Sequence, residues 1–163
     1  MGDAYLRMSQ LDLIVAQLDH RECVWRINNH PRVRSASFSE STIPWEDHVR
    51  WFGNILEDPD RLLLVGLQND AVVSVVRFDK IDRDDAEISV AVDPESQGRG
   101  LGKLTIMRGS QQCFQYWPDV SSVLARIREE NSASLRAFEA AGYKYDSESY
   151  TDGGKTISLR LVP

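Results

Sequence analysis

The spacing of apolar positions changes several times along the chain, and each change marks an element. "QLDLIVAQ" (10–17) is a short apolar run that predicts a first strand. "DHRECVWRINNH" (19–30) sets Cys23, Trp25 and Ile27 among charges and predicts a helix that ends before Pro31. The Ser-rich stretch 32–43 has no period and reads as a loop. Trp45, Val49, Phe52 and Leu56 then recur at three- and four-residue steps, the stripe of an amphipathic helix. Pro44 suits its first turn, and Glu46 and Asp47 suit its positive end. "RLLLVGLQ" (61–68) and "AVVSVVRFD" (71–79) flank Asn69-Asp70 and predict a hairpin, with "AEISVAV" (86–92) as the next strand. Leu101, Leu104 and Met107 begin a helix that runs to about Trp117-Pro118, and "SSVLARI" (121–127) follows as a strand. "NSASLRAFEAAGYK" (131–144) holds a short helix closed by Gly142, and "TISLRLV" (156–162) is the last strand. With no repeat or linker, the pattern predicts one mixed α/β domain over 1–163. Its early strands are antiparallel, and a βαβ unit lies in the middle.

Composition narrows this. The chain has 163 residues, 42% hydrophobic and 27% charged, the balance of an ordinary globular domain. A formal net charge of -6 argues against nucleic acid or an anionic membrane as partner. No apolar run is long enough to span a bilayer. "MGDAYLRMSQ" lacks the apolar core of a signal peptide, and Leu6 stands where myristoylation prefers Ser or Thr, so a cytoplasmic location is expected. Cys23 and Cys113 are far apart in sequence. They offer neither metal-type spacing nor a disulfide framework, and no metal is expected.

The stretch that carries chemistry is "VAVDPESQGRGLGKLTIM" (90–107). It places Gly98, Gly100 and Gly102 where a strand feeds a helix, although glycine costs roughly 1 kcal/mol inside a helix. Such a turn offers several N–H groups at the positive end of the helix to a phosphate or pyrophosphate. A merely flexible loop is the alternative. Two other phosphate motifs are excluded. Gln97 and Leu104 stand where a Walker pattern needs Gly and Ser/Thr, and Lys103 stands where the dinucleotide fingerprint needs its third Gly.

Gln97-Gly98-Arg99-Gly100-Leu101-Gly102 resembles the Gln/Arg-x-x-Gly-x-Gly/Ala signature of GNAT-type N-acetyltransferases, as does the preceding strand "ISVAVDPE". "NSASLRAFEAAGY" is similar to their later segment of Asn, small residues, a short helix and Gly-aromatic. The order of elements fits over nearly the whole chain. A looser resemblance links "VWRINNHPRVRSASFSESTIPWEDHVRWF" to acetyltransferases acting on nucleotide-linked amino sugars of nonulosonic acid pathways. Protein N-terminal acetyltransferases carry similar text there.

The resemblance implies a central, mostly antiparallel sheet of six or seven strands and about four helices. It also implies a V-shaped gap between the parallel strands 86–92 and 121–127. Acetyl-CoA, the expected co-substrate, would pair its pantetheine with Val90, Ala91 and Val92. Its pyrophosphate would rest on Gln97, Gly98, Arg99, Gly100, Leu101, Gly102 and Lys103. Asn131 would contact the CoA arm, or cap the following helix, or both. The implied reaction is direct aminolysis of the thioester in a ternary complex, with the Val90 N–H facing the oxyanion. Glu87 and His48 are the two candidate bases; the alternatives are a solvated carboxylate at a strand start and an exposed helix histidine. Phe138 stands at the cofactor-side position where many relatives use a tyrosine to protonate the leaving thiolate, so the acid is in doubt. The expected partner is a small-molecule amine. A nucleotide-linked amino sugar is one form of it, with Arg26, Arg32, Arg34 and Arg50 as candidate cations. A peptide N-terminus, or no reaction at all in a non-catalytic acetyl-CoA-binding module, are the alternatives. A homodimer is compatible with all of these.

Overall fold

The computed structural model describes residues 10–163. The segment on which the leader and myristoylation readings rest, 1–9, lies outside the described residues. Seven strands form one sheet: β1 (Asp12–Val15), β2 (Arg61–Gln68), β3 (Ala71–Lys80), β4 (Asp85–Val92), β5 (Ser122–Arg128), β6 (Lys144–Thr151) and β7 (Gly154–Leu161). Their order is β1-β2-β3-β4-β5-β7-β6, and only β4 and β5 run parallel. The helices are α1 (Arg21–Asn29), α2 (Pro31–Ala36), α3 (Trp45–Glu57), α4 (Leu101–Tyr116) and α5 (Ser132–Ala140).

Strand alternation divides the core into two layers. Leu62, Leu64, Val76, Phe78, Ala86, Ile88, Val123, Ala125 and Ile127 face α4 and α5, where Ile106, Cys113 and Phe138 complete the layer. Leu63, Val65 and Val75 face the other way and are covered by Val24 and Ile27 of α1 and by Phe52 and Ile55 of α3. The β2–β3 turn forms as its sequence requires. Asn69 and Asp70 take φ of 50° and 64°, the left-handed pair that a tight hairpin needs.

Two elements depart from the sequence expectation. The stretch read as a loop after Pro31 begins with helix α2, whose first residue is that proline. Proline there loses no intrahelical bond, because the first-turn N–H is an orphan anyway. The His30 side chain caps this helix by accepting from Arg32 N at 3.2 Å. The second is strand β6, over a stretch for which the sequence pattern predicts no strand. Its sequence, KYDSESYT, has no apolar face, and each of its residues is exposed. It is an edge strand held by β7, so burial left no period-two trace.

Candidate active site

The site opens where the one parallel pair stops pairing. Strands β4 and β5 are in register from Asp85↔Ser122 to Ile88↔Ala125, then part, although β4 continues to Val92 and β5 to Arg128. Residues beyond Ile88 keep their β3 partners, down to Val92↔Ser74, and have lost β5. A cavity of about 520 Å³ fills this divergence. Val90, Ala91 and Val92 form one wall, and the turn before α4 forms its end.

That turn is built for close approach. Gly98 and Gly100 adopt φ of 81° and 73°, and a Cβ at either would meet nothing within 4 Å. The glycines are therefore required by backbone conformation, while the space over them stays open. Gly100 is the N-cap of α4 and supplies no side-chain cap, so the first-turn N–H groups face outward without intrahelical partners. Gly102 has no such conformational demand, and a Cβ there would make ordinary contact with Ala137 Cβ at 3.7 Å, where α4 crosses α5. Gln97, Leu101 and Lys103 also line the cavity, whereas Arg99 is exposed and does not. Asn131 caps α5, its Oδ1 accepting from Ser134 N at 3.2 Å, and it also lines the cavity.

Some cavity residues left no motif. Arg32, Val33 and Ala36 come from α2, and Arg136 and Ala137 from α5. Pro31, which starts α2, was the available signal for the first group.

Neither candidate base lines the cavity, and neither does Arg126; the two bases separate by exposure. His48 is 1% exposed and lines no part of the cavity. Its Nε2 donates to the Arg21 carbonyl at 2.8 Å, and its ring packs among Trp45, Trp51 and Phe52. Burial lowers its pKa, the neighbouring Arg21 charge lowers it further, and the carbonyl bond opposes both. The expectation of an exposed helix histidine thus fails; this ring is a core element of α3. Glu87 stays at the surface of the sheet. It shares the face of Ser89 and Ala91, opposite to Ile88 and Val90, at the last stretch where β4 still pairs with β5. Arg126 of β5 donates to Glu87 Oε1 through Nε at 2.9 Å and Nη2 at 2.8 Å. From Glu87 to Val90 is ~10 Å along the strand, room for an acceptor amine and a water.

Phe138 does not line the cavity. It is 3% exposed in the α5 layer, edge-on to Tyr143 with ring centroids 5.0 Å apart. Tyr143 Oη is itself satisfied by Ser110 at 2.8 Å. Cys113 is buried and its thiol is pushed up to about 12, which leaves it inert as a nucleophile. The arginines noted in the first third do not converge. Arg26 pairs with Glu22 and Arg50 with Asp47. Arg34 holds the carbonyls of Asn28 and Ser39, and Arg32 borders the cavity. Among the described residues no cluster of His, Cys, Asp or Glu could hold a metal, and no helix is long and apolar enough to cross a membrane.

A mixed sheet split at its one parallel pair, with a glycine turn at the mouth of the split, is the architecture that the resemblance to GNAT-type N-acetyltransferases implies. The model of the acetyltransferase (GNAT) family matches residues 24–143, and the chain belongs to that family. A search of curated proteins finds no match. Among solved structures, the chain is similar to spermidine N-acetyltransferase from Vibrio cholerae in complex with CoA and spermine. That similarity has a TM-score of 0.85 at 16% identity, over 94% of this chain and 96% of that one. It is also similar to yncA from Salmonella typhimurium with its cofactor acetyl-CoA, with TM-score 0.79, 20% identity and 93% of each chain covered. A third similarity is to AAC(6')-Ib in complex with ribostamycin and coenzyme A, with TM-score 0.81, 13% identity and 94% of each chain covered. At these identities the likeness is one of fold.

Proposed function

We propose that this protein transfers the acetyl group of acetyl-CoA to a primary amine of a small molecule, by direct attack in a ternary complex. The observation that carries the reading is the divergence of β4 from β5 directly onto the open glycine turn. An unpaired strand edge suits the pantetheine amides, and the bare N–H groups of α4 suit a pyrophosphate. The cavity of about 520 Å³ lies within the usual range for small-molecule sites. The CoA-containing neighbours support the same placement of the co-substrate.

The chemistry follows from what these residues can do. The acceptor arrives as an ammonium ion and must lose a proton before it attacks. Glu87, on the open face of β4, takes that proton through a water. The new C–N bond forms as the C–S bond breaks, and the second proton of the amine nitrogen passes through water to the departing thiolate. A thiol with ordinary pKa near ~8.5 leaves without a dedicated acid, so the buried Phe138 is no obstacle. No acyl-cysteine is involved, because Cys113 is inert and Cys23 does not line the cavity.

The nucleotide-sugar acceptor would need cations gathered on the acceptor side; Arg26, Arg34 and Arg50 are each engaged elsewhere, and Arg32 alone of the four borders the cavity. Our reading of the acceptor is therefore the broader small amine, which the neighbours with spermine and ribostamycin support. The test is release of free CoA thiol from acetyl-CoA over a panel of amino sugars, polyamines, amino acids and peptides, with products read by mass spectrometry. Acetylated small amines are expected. Exclusive acetylation of peptide N-termini would transfer the protein to the peptide class. Tight acetyl-CoA binding with no acetylated product would make it a binding module.

A further inference from the structure

The cations of β5 and β7 are not equally neutralised. Arg128 bonds Glu40 at 3.2 Å and Glu130 at 2.7 Å. Arg160 bonds Asp85 at 3.0 Å and Asp146 at 2.9 Å. Lys155 bonds Glu129 at 3.3 Å and Glu148 at 3.0 Å. Arg126 has a single carboxylate, Glu87, and its side chain is the most exposed of the four at 57%. Both of its bonds go to one oxygen, Oε1. Among the described residues, neither Nη1 of the arginine nor Oε2 of the glutamate has a partner. The ring of Phe38, from the segment between α2 and α3, stands 5.8 Å from the guanidinium and is 61% exposed.

We propose that the Arg126–Glu87 pair is the receptor for a zwitterion, and that the acceptor is an α-amino acid or a close relative with a carboxylate beside its amine. This deepens the acetyltransferase reading and rests on it. A guanidinium with a free edge matches a carboxylate bidentately, and a carboxylate with a free oxygen accepts from an ammonium. Inserting a zwitterion gives each charge a new opposite partner and leaves none bare. A purely cationic amine can meet Glu87 at its free Oε2, but it then lies beside Arg126 and brings no carboxylate for the free edge of the guanidinium, so two cations stand side by side. A purely anionic ligand can take Arg126 only by leaving Glu87 facing it. Binding of the zwitterion also frees Glu87 from its resting partner when the ammonium is next to it, which ties deprotonation to the correct substrate. The exposed Phe38 ring offers an apolar surface beside the pair for the rest of the acceptor.

The experiment compares α-amino acids of differing side chain, each against its decarboxylated amine, in CoA-release kinetics with wild type, Arg126→Gln and Arg126→Lys. Wild type is expected to favour the acid member of the best pair at least tenfold in kcat/KM. Arg126→Gln should bring that ratio towards one, chiefly through a higher KM for the acid, and Arg126→Lys should keep part of it. Folding of each variant is checked by acetyl-CoA binding, which does not involve this pair. A wild type that prefers decarboxylated amines or polyamines, or an Arg126→Gln variant with the ratio unchanged, overturns the inference alone. Failure of every amine, with or without carboxylate, while acetyl-CoA still binds, overturns the acetyltransferase reading as well.

Discussion

On the function proposed here, the two sides of β4 recognise their ligands by different means. On the cofactor side the recognising groups are main chain: the unpaired edge of Val90 to Val92 and the N–H groups around Gly98 and Gly100. On the acceptor side they are side chains paired across strands: Glu87 with Arg126, 39 positions apart. Main-chain recognition demands particular residues, mostly glycines, in one contiguous stretch. Cross-strand recognition demands only that register bring two distant positions together, and many residue pairs satisfy that. The cofactor side is therefore written as a motif, and the acceptor side is not.

The largest expected effect separates the two sides by disabling the first. Gly100 sits at φ 73°, where a β-branched residue is strained and its side chain occupies the space over the N–H groups. In a thermal-shift series, acetyl-CoA at ~100 times its dissociation constant should stabilise wild type by about 2.7 kcal/mol. ATP and NAD should do much less, and Gly100→Val should abolish the effect. A variant that keeps the full shift would remove the turn from the site.

Disabling the other side should leave binding and lose rate. Glu87→Gln keeps the shape and removes the base, so kcat should fall by roughly 10²-fold or more. The check is steady-state kinetics with the best amine, and an unchanged kcat would take proton transfer away from this residue. Phe138→Tyr tests the boundary between site and core. The new hydroxyl would enter a layer where Tyr143 already holds the Ser110 hydroxyl. Chemical denaturation should show a loss of about 1–3 kcal/mol, with kcat little altered. A rise in kcat would instead place this ring at the thiol.

The smallest effect concerns His48. Burial lowers its folded pKa, while the same side chain in the unfolded chain titrates near ~6.5. Its contribution is therefore complete above ~6.5 and is lost as pH falls towards the lower folded value. Denaturation midpoints between pH 8 and 5.5 should decline on the acid side, and His48→Gln should flatten that decline. An equal slope in both proteins would mean the ring is not held neutral.

Legibility followed the same division. The stripe of Trp45, Phe52 and their neighbours, the Asn69-Asp70 turn and the glycine turn were readable because each is a local demand of backbone or burial. Strand β6 was not, because an exposed edge imposes no apolar period on KYDSESYT. The burial of His48 is illegible for a related reason. A polar residue within an apolar stripe reads as solvated, and only the fold brings the Arg21 carbonyl to its Nε2. Arg126 lies in a strand whose apolar alternation was plain, yet nothing in "SSVLARI" names Glu87 as its partner.

The division itself can be measured by calorimetric titration of acetyl-CoA into wild type, Glu87→Gln and Gly100→Val under one set of conditions. The account predicts dissociation constants within about threefold for wild type and Glu87→Gln, a difference of under ~0.7 kcal/mol, and no measurable binding to a folded Gly100→Val. Tight binding by Gly100→Val, or loss of binding in Glu87→Gln, would contradict the assignment of the cofactor to the main chain of the glycine turn.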